Sequence, residues 1–255
     1  MKKEIEKIIK NYVSEYQKEN NLDTKWREPI VKFADAKDKM FKELKKVVNE
    51  DHLMPEDLLA GAESIIAFFI PFEKTIPETN IKGKYSSKQW ASAYIETNTL
   101  IDKINEEIRV YLEEKGFKSA IVPATHNFSE ETLMSQWSHR HVAYIAGMGT
   151  FGINNMLITD SGCCGRVGTL VTNLKVKADK KIEVENCLYK HKGTCGVCVG
   201  KCQFGALTFD GYDRRKCYGI CMENDQYHND MELTDICGKC LVGIPCSYKN
   251  PVTHK

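Results

Sequence analysis

Thiols are missing from the first 162 residues of this 255-residue chain, so that stretch has neither disulfide staples nor a cysteine metal site. An excess of one charge is missing as well: 36 Lys+Arg stand against 35 Asp+Glu, a formal net charge of +1. That balance argues against a general nucleic-acid coat or an acidic-tail protein. Long apolar runs are absent too. The longest, Ile65–Ile70 (IIAFFI), is about a third of a membrane span. The opening MKKEIEKIIKNY interleaves charges with Ile and Tyr and has no uncharged apolar stretch of the signal-peptide kind. No internal repeat or low-complexity segment occurs. With 42% apolar residues the chain can build a real core, and the expectation is a cytoplasmic protein without a membrane span.

What is present is a concentration of cysteine: nine of eleven fall between Cys187 and Cys246. In a reducing compartment, clustered thiols mean metal more often than disulfide. The string CGVCVGKC gives Cys195-x2-Cys198-x3-Cys202, followed by Cys217, and CGKCLVGIPC gives Cys237-x2-Cys240-x5-Cys246. A cubane needs four converging thiolates, two of them from a tight C-x2-C loop. In two-cluster ferredoxins the last cysteine of such a run serves the other cluster. That logic predicts one [4Fe–4S] cluster on Cys187, Cys195, Cys198 and Cys246, and a second on Cys202, Cys217, Cys237 and Cys240. The competing reading is a four-thiolate zinc site on Cys195/Cys198 with Cys237/Cys240. It leaves Cys187, Cys202, Cys217, Cys221 and Cys246 without a role. Two features depart from ferredoxin pattern: Gln203 follows Cys202 where proline is usual, and seven residues intervene between Cys187 and Cys195. Cys221 is an alternative ligand to Cys217 or Cys187. The adjacent Cys163–Cys164 pair reads as structural, with a redox or cofactor contact as the alternative.

Upstream, residues 3–19 place Ile5, Ile8, Ile9, Tyr12, Val13 and Tyr16 at helical spacing, and Lys39–Val48 reads as a shorter helix. Ser64–Ile70, ended by Pro71, fits a buried strand. Residues 93–114 repeat Tyr94, Ile101, Ile104, Ile108, Tyr111 and Leu112 at a period near 3.6 and close at Gly116. On that face Tyr94 and Asn98, one helical turn apart, read as helix packing, with reach into a pocket as the alternative. Ala120–Val122, Met156–Thr159 and Thr169–Val176 read as strands, and Glu130–Tyr144 as helix. Helices alternating with strands predict an α/β domain over residues 1–178, followed by the metal-binding module at 179–255. Gly147-Met148-Gly149-Thr150-Phe151-Gly152 spells the G-x-G-x-x-G fingerprint, but a helix precedes it and Thr172 stands where the acid belongs. Two readings remain: a tight connection needing positive φ, or backbone approaching a large planar cofactor.

WSHRHVAYIAGMGTFGINNMLIT, then GCCGRVGTLVTNL, then the cysteine set, resembles the epoxyqueuosine reductase and reductive dehalogenase superfamily. MPEDLLAGAESIIAFFIPF and CGKCLVGIPC are similar to other stretches of that family, and the likeness runs over roughly residues 26–250. The resemblance implies a nitroreductase-like α/β cobalamin-binding domain beside a ferredoxin-like module with two [4Fe–4S] clusters. It also implies electron flow from the clusters to cobalt, which drives a two-electron reduction of a small organic substrate. It places Gly147, Met148, Gly149, Thr150, Phe151, Gly152, Asn154, Asn155 and Met156 beside the cofactor, with Arg166 and Gly168. An electron donor such as a ferredoxin or flavodoxin is the implied partner.

The chain departs from epoxyqueuosine reductases at their catalytic Asp. Counting back from Gly147 leads to Leu133, with Glu130 and Glu131 out of register. The long C-terminal extension of tRNA-acting members and the twin-arginine signal of respiratory dehalogenases are missing, so neither tRNA nor a membrane is the expected partner. His139, His141 and Tyr144 are the candidate proton donors. Residues two apart on a helix diverge by roughly 200°, so only one of the two histidines is expected to face a pocket. The function expected is a cytoplasmic iron–sulfur, cobalamin-dependent reductase with its own substrate. The rival is a non-catalytic electron carrier that docks to an oxidoreductase.

Overall fold

The computed structural model describes residues 1–123 and 128–252. The first half holds α1 (Lys2–Glu19), β1 (Ile30–Asp35), α2 (Met40–Val47), α3 (Pro55–Leu58), β2 (Ser64–Pro71), α4 (Thr75–Thr79) and α5 (Lys88–Glu114). Then come β3 (Ser119–Ile121), β4 (Phe128–Ser129), β5 (Met134–Ser135), α6 (His139–Ile145), β6 (Gly149–Phe151), β7 (Leu157–Thr159) and β8 (Gly165–Thr172). Three helices follow: α7 (Leu188–Lys192), α8 (Val197–Lys201) and α9 (Arg214–Tyr227).

The main sheet runs β1-β2-β8-β3, and every neighbouring pair is antiparallel. Alternation of helices and strands did not produce a parallel sheet here. The α2–α3 connection leaves β1 at Asp35 and re-enters β2 at Ser64, which pair directly, so it is an elaborated hairpin. β2 is buried along its whole length, and its period of two divides the core. Ile66, Phe68 and Ile70 face α1 and α5, while Ile65, Ala67 and Phe69 face α2 and α6. The result is a sheet with helices on both sides.

The helices follow their apolar stripes. Ile5, Ile9 and Val13 are buried in α1, which packs on α5. α5 opens with the Ser87 side chain accepting from Trp90 N at 3.2 Å and closes at Gly116, whose φ is +81°. Two expected elements differ. Glu130–Ser138 is not helical: Phe128–Ser129 and Met134–Ser135 pair as a hairpin, and helix begins only at His139. The Ser135 hydroxyl donates to Trp137 O and accepts from Trp137 N, local bonds that compete with helix. β8 starts at Gly165, before the expected Thr169, and stops at Thr172, short of the expected Val176; the Thr172 hydroxyl there donates to Lys118 O.

Residues 1–178 and the cysteine-bearing remainder share one core. Val242 is buried in the same cluster as Trp90 and Leu100. Arg27 clasps Ser161 O at 2.7 Å and Tyr248 O at 3.1 Å. Cys163 N and Cys164 N donate to Cys246 O and Ser247 O.

Candidate functional site

The fold distributes the eight predicted thiols over two pockets. Cys187 caps α7, Cys195 precedes α8, Cys198 lies within α8 and Cys246 comes in on the C-terminal loop. These four line one small pocket with Tyr189, Gly196 and Ile244. Cys202, Cys217, Cys237 and Cys240 line a separate, large cavity, joined there by Cys163 and Cys221. Cys195/Cys198 and Cys237/Cys240 therefore line different pockets, which speaks against a single four-thiolate zinc site. Among the described residues no three His, Cys, Asp or Glu side chains converge as a single metal ion requires.

The thiol electrostatics largely follow the same division, though Cys198 of the first set also acts on Cys240 of the second. Burial pushes Cys198 up to about 11, helped by Cys246, Cys187 and Cys195. Burial likewise pushes Cys237 up to about 11, with Cys217 and Cys202 adding to it, and raises Cys240 beside Cys237, Cys217 and Cys202. Cys217 is held down to about 6 by hydrogen bonding with Cys221, one turn away on α9, and with Tyr212, while Arg140 lies near. Crowded buried thiolates without a cation are costly, and iron is a group that offsets that cost. The donor chemistry fits two iron–sulfur cages. All eleven cysteines are free thiols. Cys163 packs behind Cys246 and also lines the large cavity, while the Cys164 thiol is buried and donates to Leu241 O at 3.2 Å.

The large cavity holds about 550 Å³, within the range of small-molecule sites. Its apolar wall includes Phe69, Trp90, Tyr94, Phe128 and Trp137; its charged groups are Arg140, Arg166, Arg214, Lys239 and a lone carboxylate, Asp235. Arg140 is enclosed by protein yet wetted by the cavity, and its guanidinium donates to Asn155 O at 2.7 Å. Lys239 is buried and donates to Asn80 O, Asn80 Oδ1 and Lys82 O at 2.9, 3.2 and 2.9 Å. The Tyr94 hydroxyl donates to Asp235 Oδ1 at 2.6 Å, and the Arg166 guanidinium lies 4.4 Å from the Tyr94 ring centre.

The candidate proton donors meet different fates. His139 and His141 both reach the cavity, because the cavity abuts the first turn of α6 and not one side of it. His139 has both nitrogens engaged: Nε2 donates to Pro123 O at 2.9 Å, leaving Nδ1 to accept from the Thr169 hydroxyl at 2.8 Å. Burial lowers His139 and His141 to about 4, so each is a neutral imidazole at neutral pH. His141 bonds Ser138 at 2.8 Å and packs on Phe151. Tyr144 also packs on Phe151 and lies outside the lining.

Of the expected cofactor neighbours, Asn154, Met156 and Arg166 line the large cavity. Asn154 also lines the small pocket, and its Nδ2 donates to Cys240 O at 3.0 Å. Gly147, Met148, Gly149, Thr150, Phe151, Gly152, Asn155 and Gly168 are outside the large cavity's lining. The glycines are needed elsewhere. At Gly147 φ is +75° and a Cβ would sit 2.2 Å from Lys180 O; at Gly149 it would sit 2.4 Å from Ile158 O. At Gly168 it would strike the Phe68 ring at 2.3 Å. Met148 is core, and the Thr150 hydroxyl accepts from Asn186 N.

Sequence reasoning favoured packing over a pocket role for Tyr94 and passed over Asp235. Tyr94 sits on the buried stripe of α5, where packing and pocket residues look alike, and Asp235 lies in irregular chain after α9. Leu133 lines the cavity with φ +55°, at the point where counting placed the family's catalytic acid. A leucine there transfers no proton.

No protein-family model and no curated protein matches this sequence. Solved structures do. Epoxyqueuosine reductase from Streptococcus thermophilus superposes with a TM-score of 0.56 at 19% identity, over 97% of this chain and 69% of that one. The Bacillus subtilis enzyme, with its catalytic aspartate loop swung out of the active site, gives 0.59 at 18% identity, over 94% and 65%. A catabolic reductive dehalogenase gives 0.57 at 16% identity, over 88% of this chain and 30% of that one. The chain shares its fold with these epoxyqueuosine reductases and this reductive dehalogenase. It spans about two-thirds of the reductases' length and under a third of the dehalogenase's. Among the described residues no helix is long and apolar enough to cross a membrane.

Proposed function

We propose that this chain is a cytoplasmic oxidoreductase that uses two [4Fe–4S] clusters and a cobalamin to reduce a small organic substrate. Cys187, Cys195, Cys198 and Cys246 would hold one cluster, and Cys202, Cys217, Cys237 and Cys240 the other, together forming the ferredoxin-like module. The large cavity would take the substrate, and Asn154, Met156 and Arg166 on its wall would contact the corrinoid. When bound, these groups supply single electrons and a strongly reducing metal centre. The protein's own part is to exclude water with its aromatic wall and to hold a proton at the Tyr94 hydroxyl. A neighbouring structure is of a dehalogenase described as B12-dependent, which supports cobalamin as the cofactor.

The observation that carries this reading is the opening of one thiol set directly onto the aromatic cavity. An electron carrier has no use for such a cavity beside its thiols, so that rival is not favoured. Epoxyqueuosine reductase has been solved with a tRNA stem loop, but here the cavity's size and the charge balance favour a small molecule. The implied electron donor is a ferredoxin or flavodoxin.

Anaerobically prepared protein is expected to carry about eight irons and eight sulfides per chain and, after incubation with cobalamin, about one cobalt. Its visible absorption should bleach with dithionite. Cys198→Ser is expected to halve the iron. Iron with no cobalt uptake would leave only the carrier, and zinc in place of iron would end the reading.

A further inference from the structure

Two of the four cations on the cavity wall, Lys239 and Arg140, are matched to an acceptor. Lys239 has three oxygens, and Arg140 has Asn155 O and lies among the charges of Cys217 and Cys240. Arg166 is different. Its Nε is buried with no hydrogen-bond partner, and its guanidinium lies face-on to the Tyr94 ring at 4.4 Å. The nearby carboxylate, Asp235, accepts a hydrogen bond from the Tyr94 hydroxyl at 2.6 Å. The charges and phenols that bear on Arg166 are Tyr94, Asp235 and Arg140, and no cysteine is among them.

A guanidinium stays protonated, presents a rigid fork of donors, and is costly to bury with a donor unpaired. What satisfies it is a planar or tetrahedral oxyanion accepting two parallel hydrogen bonds. We propose that Arg166 is the receptor for an oxyanion, a carboxylate or a phosphate ester, carried by the cavity's ligand, with the Tyr94 ring holding the fork in place. The inference rests on reading the cavity as a ligand site and is independent of the metal centres. The oxyanion has two sources: a carboxylate on the substrate, or the phosphodiester of a corrinoid's nucleotide loop.

Calorimetric titration of anaerobically purified protein with two matched pairs separates them. Benzoate is compared with benzamide, and cobalamin with cobinamide, which lacks the phosphodiester. The anionic member of one pair is expected to bind at least about tenfold tighter. Preference within the first pair assigns the substrate; preference within the second assigns the corrinoid. Arg166→Gln should erase the preference while leaving the neutral member's affinity unchanged, and Arg166→Lys should restore only part of it. Equal affinity within both pairs, absence of binding by all four, or a preference surviving Arg166→Gln overturns the proposal. Iron is assayed on the same samples. A preference seen in iron-free protein leaves Arg166 standing and removes the reductase.

Discussion

Thr169 stands between two aromatic side chains, accepting from the Trp137 indole at 3.0 Å and donating to His139 Nδ1 at 2.8 Å. The Pro123 carbonyl at the far end fixes the direction of this chain, because it can only accept. His139 is thus held neutral, with Arg166 nearby reinforcing the effect of burial. The sign of the linkage follows. Protonation is easier in the unfolded chain, where histidine titrates near 6.5, than in the fold, where it waits until about 4. Stability from this group is complete above pH 6.5 and lost as pH falls toward 4, up to about 3 kcal/mol. Urea midpoints of wild type and His139→Gln at intervals from pH 7.5 to 4.5 should converge as the acid end is approached. Parallel pH profiles would show that His139 is not the group concerned. Tyr94→Phe removes the hydroxyl that donates to Asp235 and is expected to lower turnover at least tenfold with iron content unchanged. A dead enzyme with reduced iron would instead place Tyr94 in the scaffold.

Among the elements, α1, β2 and α5 were legible because a single pattern, helical or continuous apolar, decides each one. The eight cysteines were legible in the same way: spacing divided them into the sets that line the two pockets. Glu130–Tyr144 was not, since side-chain bonds from Ser135 and burial of Trp137 override helix-forming composition. The G-x-G-x-x-G block was misleading for a related reason. Close backbone approach within a protein and close approach to a cofactor ask for the same residue. Gly149→Ala distinguishes them. Its Cβ would meet Ile158 O at 2.4 Å across the β6–β7 pair, so a loss of about 2–4 kcal/mol in unfolding free energy is expected. Cobalamin affinity of the folded fraction should hold. An unchanged stability with weakened cobalamin binding would return the glycines to the cofactor.

At the scale of the molecule, the cysteine-rich third is stitched to the body by Val242 and by the Arg27 contacts, while its own helices are short and its apolar clusters small. Metal is thus expected to supply much of its order. Stripping iron with a chelator should raise hydrogen exchange across residues 187–235 and leave α1, β2 and α5 protected. Uniform loss of protection would mean that the body depends on the clusters as well.

The strand order β1-β2-β8-β3 sets a schedule for biosynthesis. β8 is the last strand of the sheet to leave the ribosome, yet its place is in the middle. Between Pro71 and Gly165 lie about 90 residues, roughly 5–20 s of translation, during which the largely apolar β2 has one edge open. A nascent chain of this design relies on a holdase over that interval, and slow, cool expression with chaperones supplied should raise its yield more than any change to the growth medium's iron.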